Sequence, residues 1–359
     1  MKIKQSTIIF HIGFHKTGST SLQQFFAENE AALQIQGIRF PLAARERNPR
    51  QIIHSNLPWQ LLNHGKFDSA LKGIEELAQE VQARPGAWVV TTEGLSRLAD
   101  ASSIKDSFPD ANIKTIAYCR NPLHAAPSLY TEQLKFGATK TWSLWADSAN
   151  LSEWFDYGKK LAPWRSIGSE VMLRHLTNVR QIKESGLSIF EDFVSLLPGP
   201  IETSTLNMSF RPEANSRLSL LECAALYAVN HALKKTAEQV NENQKVSFRN
   251  TARRVVRSLF PEFLHPFALS ALQQNQLQET LCQLGLLTAA GPLQEDTGES
   301  IHKTIISHLN NCELDIRKVF RRSFPPSLPI KVTEFLQFLE DAMPVRLHQD
   351  TDLTPDGSQ

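Results

Sequence analysis

Residues 7–14, TIIFHIGF, are β-rich and mostly apolar on both alternations. That pattern predicts a strand buried on both faces, as in a parallel sheet. The period then changes. Leu22, Phe25, Phe26 and Leu33 recur at helical spacing after HKTGST, and Gly37 is a natural stop. GIRFP (37–41) reads as a second short strand, and 43–66, with Pro49, Asn56 and Pro58, as loop with some helix. FDSALKGIEELAQEVQA (67–83) is an amphipathic helix that Pro85-Gly86 breaks, and AWVVTTEGL (87–95) a strand running into a turn. NIKTIAYCR (112–120) is a third long strand, closed by Asn121-Pro122. A helix over 123–137, with Pro127 in its first turns, a strand over 169–176 and a helix over 188–197 follow. Strand alternating with helix predicts an α/β fold around a central, mainly parallel sheet.

From about residue 218 the strand signals vanish. SLLECAALYAVNHALKKTAEQV, NTARRVVRSLF, LSALQQNQLQETLCQL and SIHKTIISHLNNCELDIRKVF are all helical in pattern. The expected organisation is an α/β domain over 1–217, a helical C-terminal extension over 218–345, and a flexible tail over 346–359.

Composition narrows the function classes. A chain of 359 residues with 41% hydrophobic and 21% charged residues can bury a large core unaided. The 38 basic and 37 acidic residues nearly cancel, which argues against a nucleic-acid partner or a polybasic membrane surface. Cys119, Cys223, Cys282 and Cys312 form no C-x-x-C pair, so they suit a reducing compartment and no local zinc motif. No metal-ligand cluster stands out. No run approaches the roughly 20 apolar residues of a membrane helix. The start of the chain does not read as a secretory signal, so a soluble, cytoplasmic protein is expected. Association with a second copy stays open.

The candidate chemistry begins at Gly13-Phe14-His15-Lys16-Thr17-Gly18-Ser19-Thr20-Ser21. A glycine loop between a buried strand and a helix gathers backbone N–H groups and a helix N-terminus on one anion. A nucleoside-triphosphate loop reads G-x-x-x-x-G-K-[ST]. Gly13 and Gly18 keep that glycine spacing, but Ser19 stands where the lysine belongs, and Lys16 lies inside the loop.

The stretch HIGFHKTGSTSLQ resembles the 5′-phosphosulfate loop of sulfotransferases that use 3′-phosphoadenosine 5′-phosphosulfate (PAPS), above all bacterial carbohydrate-type members. The resemblance implies a P-loop-type three-layer fold. It implies that Lys16 contacts the bridging oxygen and the sulfuryl group, while Thr17, Gly18, Ser19, Thr20 and Ser21 line the phosphosulfate; His15, next to Lys16, is placed to touch the sulfonate. Such enzymes hold the 3′-phosphate with an arginine at a strand end and a serine on the next helix, with seven residues between them. Arg120 and Ser128 have that spacing and context. The likeness runs from residue 7 to about 235 and is specific at these two motifs. It implies sulfuryl transfer to a hydroxyl or amine of a glycan or other acceptor, release of 3′,5′-ADP, and no metal.

The acceptor needs a general base. Glu93 follows WVVTT at the carboxyl end of a strand, where ligands of open α/β sheets collect, and the family often has a glutamate there. His54 in QIIHSNLPW is the rival. His11 alternates inward and reads as a core residue. Trp142, Trp145 and Trp154 suit either sugar stacking or core packing. The basic stretches 250–257 and 315–322 read as solvated or interface faces, or as contacts for an anionic glycan. Two other classes stay open: a P-loop nucleotide kinase or NTPase, and a non-catalytic anion-binding protein.

Overall fold

The computed structural model describes residues 6–43, 72–176, 188–209, 218–236, 240–259, 271–287 and 330–342, with a few isolated positions between them. The chain divides into two compact units, one of Met1–Ala125 with Ser152–Asn215 and one of Ala126–Leu151 with Ser216–Gln359.

The first unit is an α/β fold. In chain order it holds β1 (Thr7–Ile12), α1 (Ser19–Glu28), α2 (Glu30–Ile35), β2 (Ile38–Arg39), α3 (Lys72–Ala83) and β3 (Ala87–Thr92). A 3-10 turn (Gly94–Arg97), α4 (Ser102–Ser107) and β4 (Asn112–Cys119) follow. Then α5 (Pro122–Lys135) crosses into the second unit, which also holds α6 (Trp142–Ser148). The chain returns through α7 (Leu151–Phe155) to α8 (Tyr157–Ser166), β5 (Glu170–His175) and α9 (Ile189–Ser195). The five strands are all parallel, in the order β2-β3-β1-β4-β5.

The doubly apolar strands are explained by a layer on each face. Ile8, Phe10 and Ile12 of β1 point with Trp88 and Val90 of β3 into a core closed by α3, α4 and α8. Ile9, Val89 and Ile116 point the other way, onto Leu22, Phe25 and Phe26 of α1 and Phe193 of α9. Each such buried side chain contributes about 1.5–3 kcal/mol. The connection after β1 thus leaves over one face and the connection after β3 over the other. β1 sits at the switch between them, where a crevice opens at the carboxyl ends of the strands.

His11 lies in the α1 and α9 layer, fully buried. Its Nδ1 is 2.7 Å from Thr91 Oγ1, and its ring meets Phe193 edge-on at 5.5 Å. Burial pushes the imidazole pKa down from 6.5 to about 3. The unfolded chain therefore binds a proton below pH 6.5 that the folded chain refuses until about pH 3. The contribution to stability is fully present above that window and is lost as pH falls through it, at up to about 1.4 kcal/mol per pH unit. Urea unfolding from pH 7 to 4 should show this slope, and His11→Asn should flatten it. Parallel curves for the two proteins would remove the assignment.

The second unit is helical among the described residues. Its centre is α10 (Leu220–Lys235), buried almost all round, against which α11 (Glu242–Leu259) packs. The unit continues with α12 (Ala271–Gln283) and α13 (Val332–Ala342), and α13 packs on both α10 and α6. Trp142 and Trp145 are core residues here, each about Tyr130 at ring distances of 5.4 Å. The basic stretch at 250–257 also turns inward in part. Arg253 Nε and Arg257 Nε reach Glu222 Oε1 at 3.4 and 2.8 Å, while Glu222 is only 2% exposed. The second basic stretch, 315–322, lies outside the described residues. No helix among the described residues is long and apolar enough to cross a membrane.

Candidate anion site at the end of β1

Pairing of β1 with β3 continues one step past the strands: the Gly13 amide donates to the Thr92 carbonyl at 3.2 Å. The chain then doubles back on itself. A Cβ at Gly13 would stand 2.1 Å from Ser19 Oγ, 2.8 Å from Ser19 Cβ and 3.0 Å from Glu93 Cγ. Two left-handed residues make this wrap, Gly18 at φ 81° and Lys16 at φ 64°. Lys16 is the only non-glycine with positive φ among the described residues, and that conformation costs roughly 1–2 kcal/mol. Strain of this kind persists where surrounding structure enforces it and marks candidate functional positions.

The loop's donors divide into two sets. Thr17 Oγ1 is committed to the Phe14 carbonyl at 2.6 Å, so this hydroxyl braces the loop and only its amide remains for a ligand. The amides of Thr17, Gly18, Ser19 and Thr20 have no partner among the described residues. Ser19 is 1% exposed, and its Oγ, turned back toward Gly13, has no hydrogen-bond partner either. An unmet buried hydroxyl costs about 1–3 kcal/mol, so a group that accepts from it and from the amides restores that loss. With Lys16 beside them, these donors suit a phosphate or sulfate. Gly13→Ala should force α1 off β1, lower stability by about 1–3 kcal/mol and abolish anion binding. Wild-type-like denaturation and binding curves would contradict this packing.

Glu93 enters the site from β3. Its Oε2 is 3.8 Å from His15 Nδ1. On the far side of the ring, Arg97 Nη2 approaches His15 Nε2 at 3.4 Å. Arginine has only donors, so Nε2 must accept, which puts the imidazole proton on Nδ1 toward the carboxylate. Trp154 meets the same ring edge-on at 4.8 Å. Of the tryptophans in question, Trp154 therefore stands at the site, while Trp164 is buried on Phe10.

Arg120 follows β4, on the other side of β1. Its carbonyl accepts from Tyr157 Oη at 2.8 Å, and the Tyr157 ring packs on Phe14 at 4.7 Å. One α8 residue thereby ties the glycine loop to the end of β4, a link that no local pattern in the sequence announces. Asn121 accepts from the Leu123 amide at 2.9 Å and starts α5, with Pro122 at its first position. Ser128 lies partly buried two turns along that helix, in the stretch that belongs to the second unit. Next to Arg120, burial pushes the Cys119 thiol up to about 11, so it stays protonated against His175 Nδ1 at 3.2 Å and is a poor nucleophile.

The structure thus gathers His15, Lys16, Thr17, Gly18, Ser19 and Glu93 at the carboxyl ends of β1 and β3. Thr20 and Ser21 open α1, and Ser21 is partly exposed. His54 lies outside the described residues. No group of three or more His, Cys, Asp or Glu side chains that could hold a metal ion occurs among the described residues. Arg97 and Tyr157 were not among the residues expected from sequence, whereas the sequence leaves Trp154 between sugar stacking and core packing. No protein-family model matches the chain, and neither does any curated protein.

Proposed function

We propose that this chain is a sulfotransferase of P-loop type that moves the sulfuryl group of PAPS to a hydroxyl or amine of a carbohydrate or glycoconjugate, releasing 3′,5′-ADP. The observation that carries the reading is the set of open donors in the loop, four amides and the buried Ser19 hydroxyl, around a lysine held inside the loop at Lys16. A phosphosulfate end offers enough acceptor oxygens for all of them. Ser19 in place of the usual lysine speaks against a nucleoside-triphosphate kinase.

In this reading the loop amides and Ser19 hold the 5′-phosphosulfate, and Arg120 at the end of β4 meets the 3′-phosphate. Glu93 takes the proton from the acceptor as its oxygen or nitrogen bonds to sulfur. The bond from sulfur to the bridging phosphate oxygen breaks in line, and Lys16 meets the charge that develops there. Glu93 suits this role because its side chain packs beside Gly13, with Oε2 3.8 Å from His15 Nδ1. The scattered cysteines favour a cytoplasmic setting.

The test is thermal unfolding with 3′,5′-ADP in the absence of Mg²⁺. At 100 times Kd the ligand should add about 2.7 kcal/mol, which is several degrees in Tm. Stabilisation by ATP with Mg²⁺ and none by 3′,5′-ADP would return the loop to the kinase class.

A further inference from the structure

The acceptor side of the site carries charge that the transfer reaction does not use. Arg97 closes the 3-10 turn that follows Glu93, is exposed, and reaches toward the site. Its partner there is the His15 Nε2 nitrogen, at a long 3.4 Å. At that length, and to a ring nitrogen, the contact is weak for a guanidinium. Hydrogen bonds to a charged oxygen are roughly twice as strong, and two parallel ones fit the arginine fork. Lys160 stands on α8, which packs against the same turn. Burial lowers the Lys160 pKa; Glu153 raises it, and Arg97 lowers it again. Two cations thus sit within electrostatic reach of each other, and one of them is half-desolvated. Trp154, with its edge on His15, supplies a partly exposed ring beside them.

We propose that Arg97 and Lys160 form an acceptor subsite for an anionic group, so that the acceptor is a ring-bearing molecule carrying a carboxylate or a sulfate near the hydroxyl that reacts. The proposal rests on the sulfotransferase reading only for the role of the bound molecule, not for the binding itself. The anion draws Arg97 off His15 and bridges it to Lys160. Trp154 flanks the ring, and the reacting hydroxyl comes to Glu93. Glu153 and Asp156 offset part of the positive charge at Lys160, which tempers but does not cancel the pull on an anion.

The experiment uses two matched probes, p-nitrophenyl β-D-glucuronide and p-nitrophenyl β-D-glucoside, which differ by carboxylate against hydroxymethyl. Binding to the full chain is measured by calorimetry, with and without 3′,5′-ADP. The glucuronide should bind at least about tenfold more tightly than the glucoside. Arg97→Gln and Lys160→Gln should each remove most of that preference, with 3′,5′-ADP binding retained as the sign of a folded variant. Equal affinity for both sugars, binding of neither, or a variant that weakens both alike would overturn the anionic subsite. Loss of the 3′,5′-ADP arm alone, with the glucuronide preference intact, would overturn the sulfotransferase reading and leave the subsite standing.

Discussion

Lys16→Ala is expected to lower kcat by about 10²–10³ while changing the Kd for 3′,5′-ADP by less than about tenfold. The reason lies in what the substitution keeps. Lysine and alanine bear the same cost at φ 64°, so the wrap of the loop from Gly13 to Gly18 and its open amides are preserved. What disappears is one ammonium. Under the proposed reaction that charge matters most when the bridging oxygen departs, and much less when the nucleotide merely sits in the loop. Lys16→Arg should recover part of the rate, because it restores charge but not the compact point geometry of the amine. Single-turnover sulfuryl transfer and calorimetry on the same preparations give both quantities. A rate within about threefold of wild type would remove Lys16 from the chemistry.

The largest expected effect on stability lies in the helical unit. Replacing Arg253 and Arg257 together by methionine should cost about 3–5 kcal/mol, or roughly 10 °C in Tm. The pair is asymmetric. Glu222 is 2% exposed at its side chain, whereas the arginines are 26% and 43% exposed. Removing the arginines strands a carboxylate where water cannot reach it. Its other oxygen keeps the Ser219 amide at 2.9 Å, which satisfies geometry but not charge. Glu222→Gln is the informative contrast. The amide oxygen can still cap α10, and the arginines can turn to solvent, so about 1–2 kcal/mol is expected. Guanidinium unfolding of the three proteins checks the order. Equal losses for the double arginine variant and for Glu222→Gln would show that a carboxylate left without the arginines carries no extra cost.

These two cases differ in how far sequence could see them. The loop was legible because everything that defines it is local. An apolar run ends, glycines at 13 and 18 permit the turn, and Leu22, Phe25 and Phe26 start a helical stripe. Glu93 was legible for the same reason, as the first polar position past a buried strand. The role of Glu222 was not. Nothing near ECAALYAVN distinguishes a solvated helix-start glutamate from one buried under a neighbouring helix, and its partners stand 31 and 35 residues away. The tryptophans make the same point. Trp142, Trp145 and Trp154 fall within one short stretch, yet the first two are buried around Tyr130 and the third faces His15.

Helix α8 shows where local reasoning stopped. YGKKLAPWRS contains a proline and has no clean apolar stripe, so it did not announce a helix. Nonetheless it carries Tyr157 onto both Phe14 and Arg120 and packs against the turn that holds Arg97. The membership of Ala126–Leu151 in the helical unit was equally invisible, since that stretch lies between two strands of the sheet unit in sequence.

By itself, the sequence determined the α/β class, the strands and most of their helices, and the strand–loop–helix that can grip an anion. Those features depend on short-range rules: side-chain period, glycine freedom and the orphaned amides of a helix start. Only the tertiary structure decided the strand order that puts β1 between β3 and β4. It alone decided that Glu93 and Arg97 take opposite sides of His15, that His11 is held uncharged against Thr91, and that Tyr157 joins the loop to Arg120. Each of those depends on how crossovers bring distant segments side by side, and the energy that selects among such pairings comes from whole packed faces.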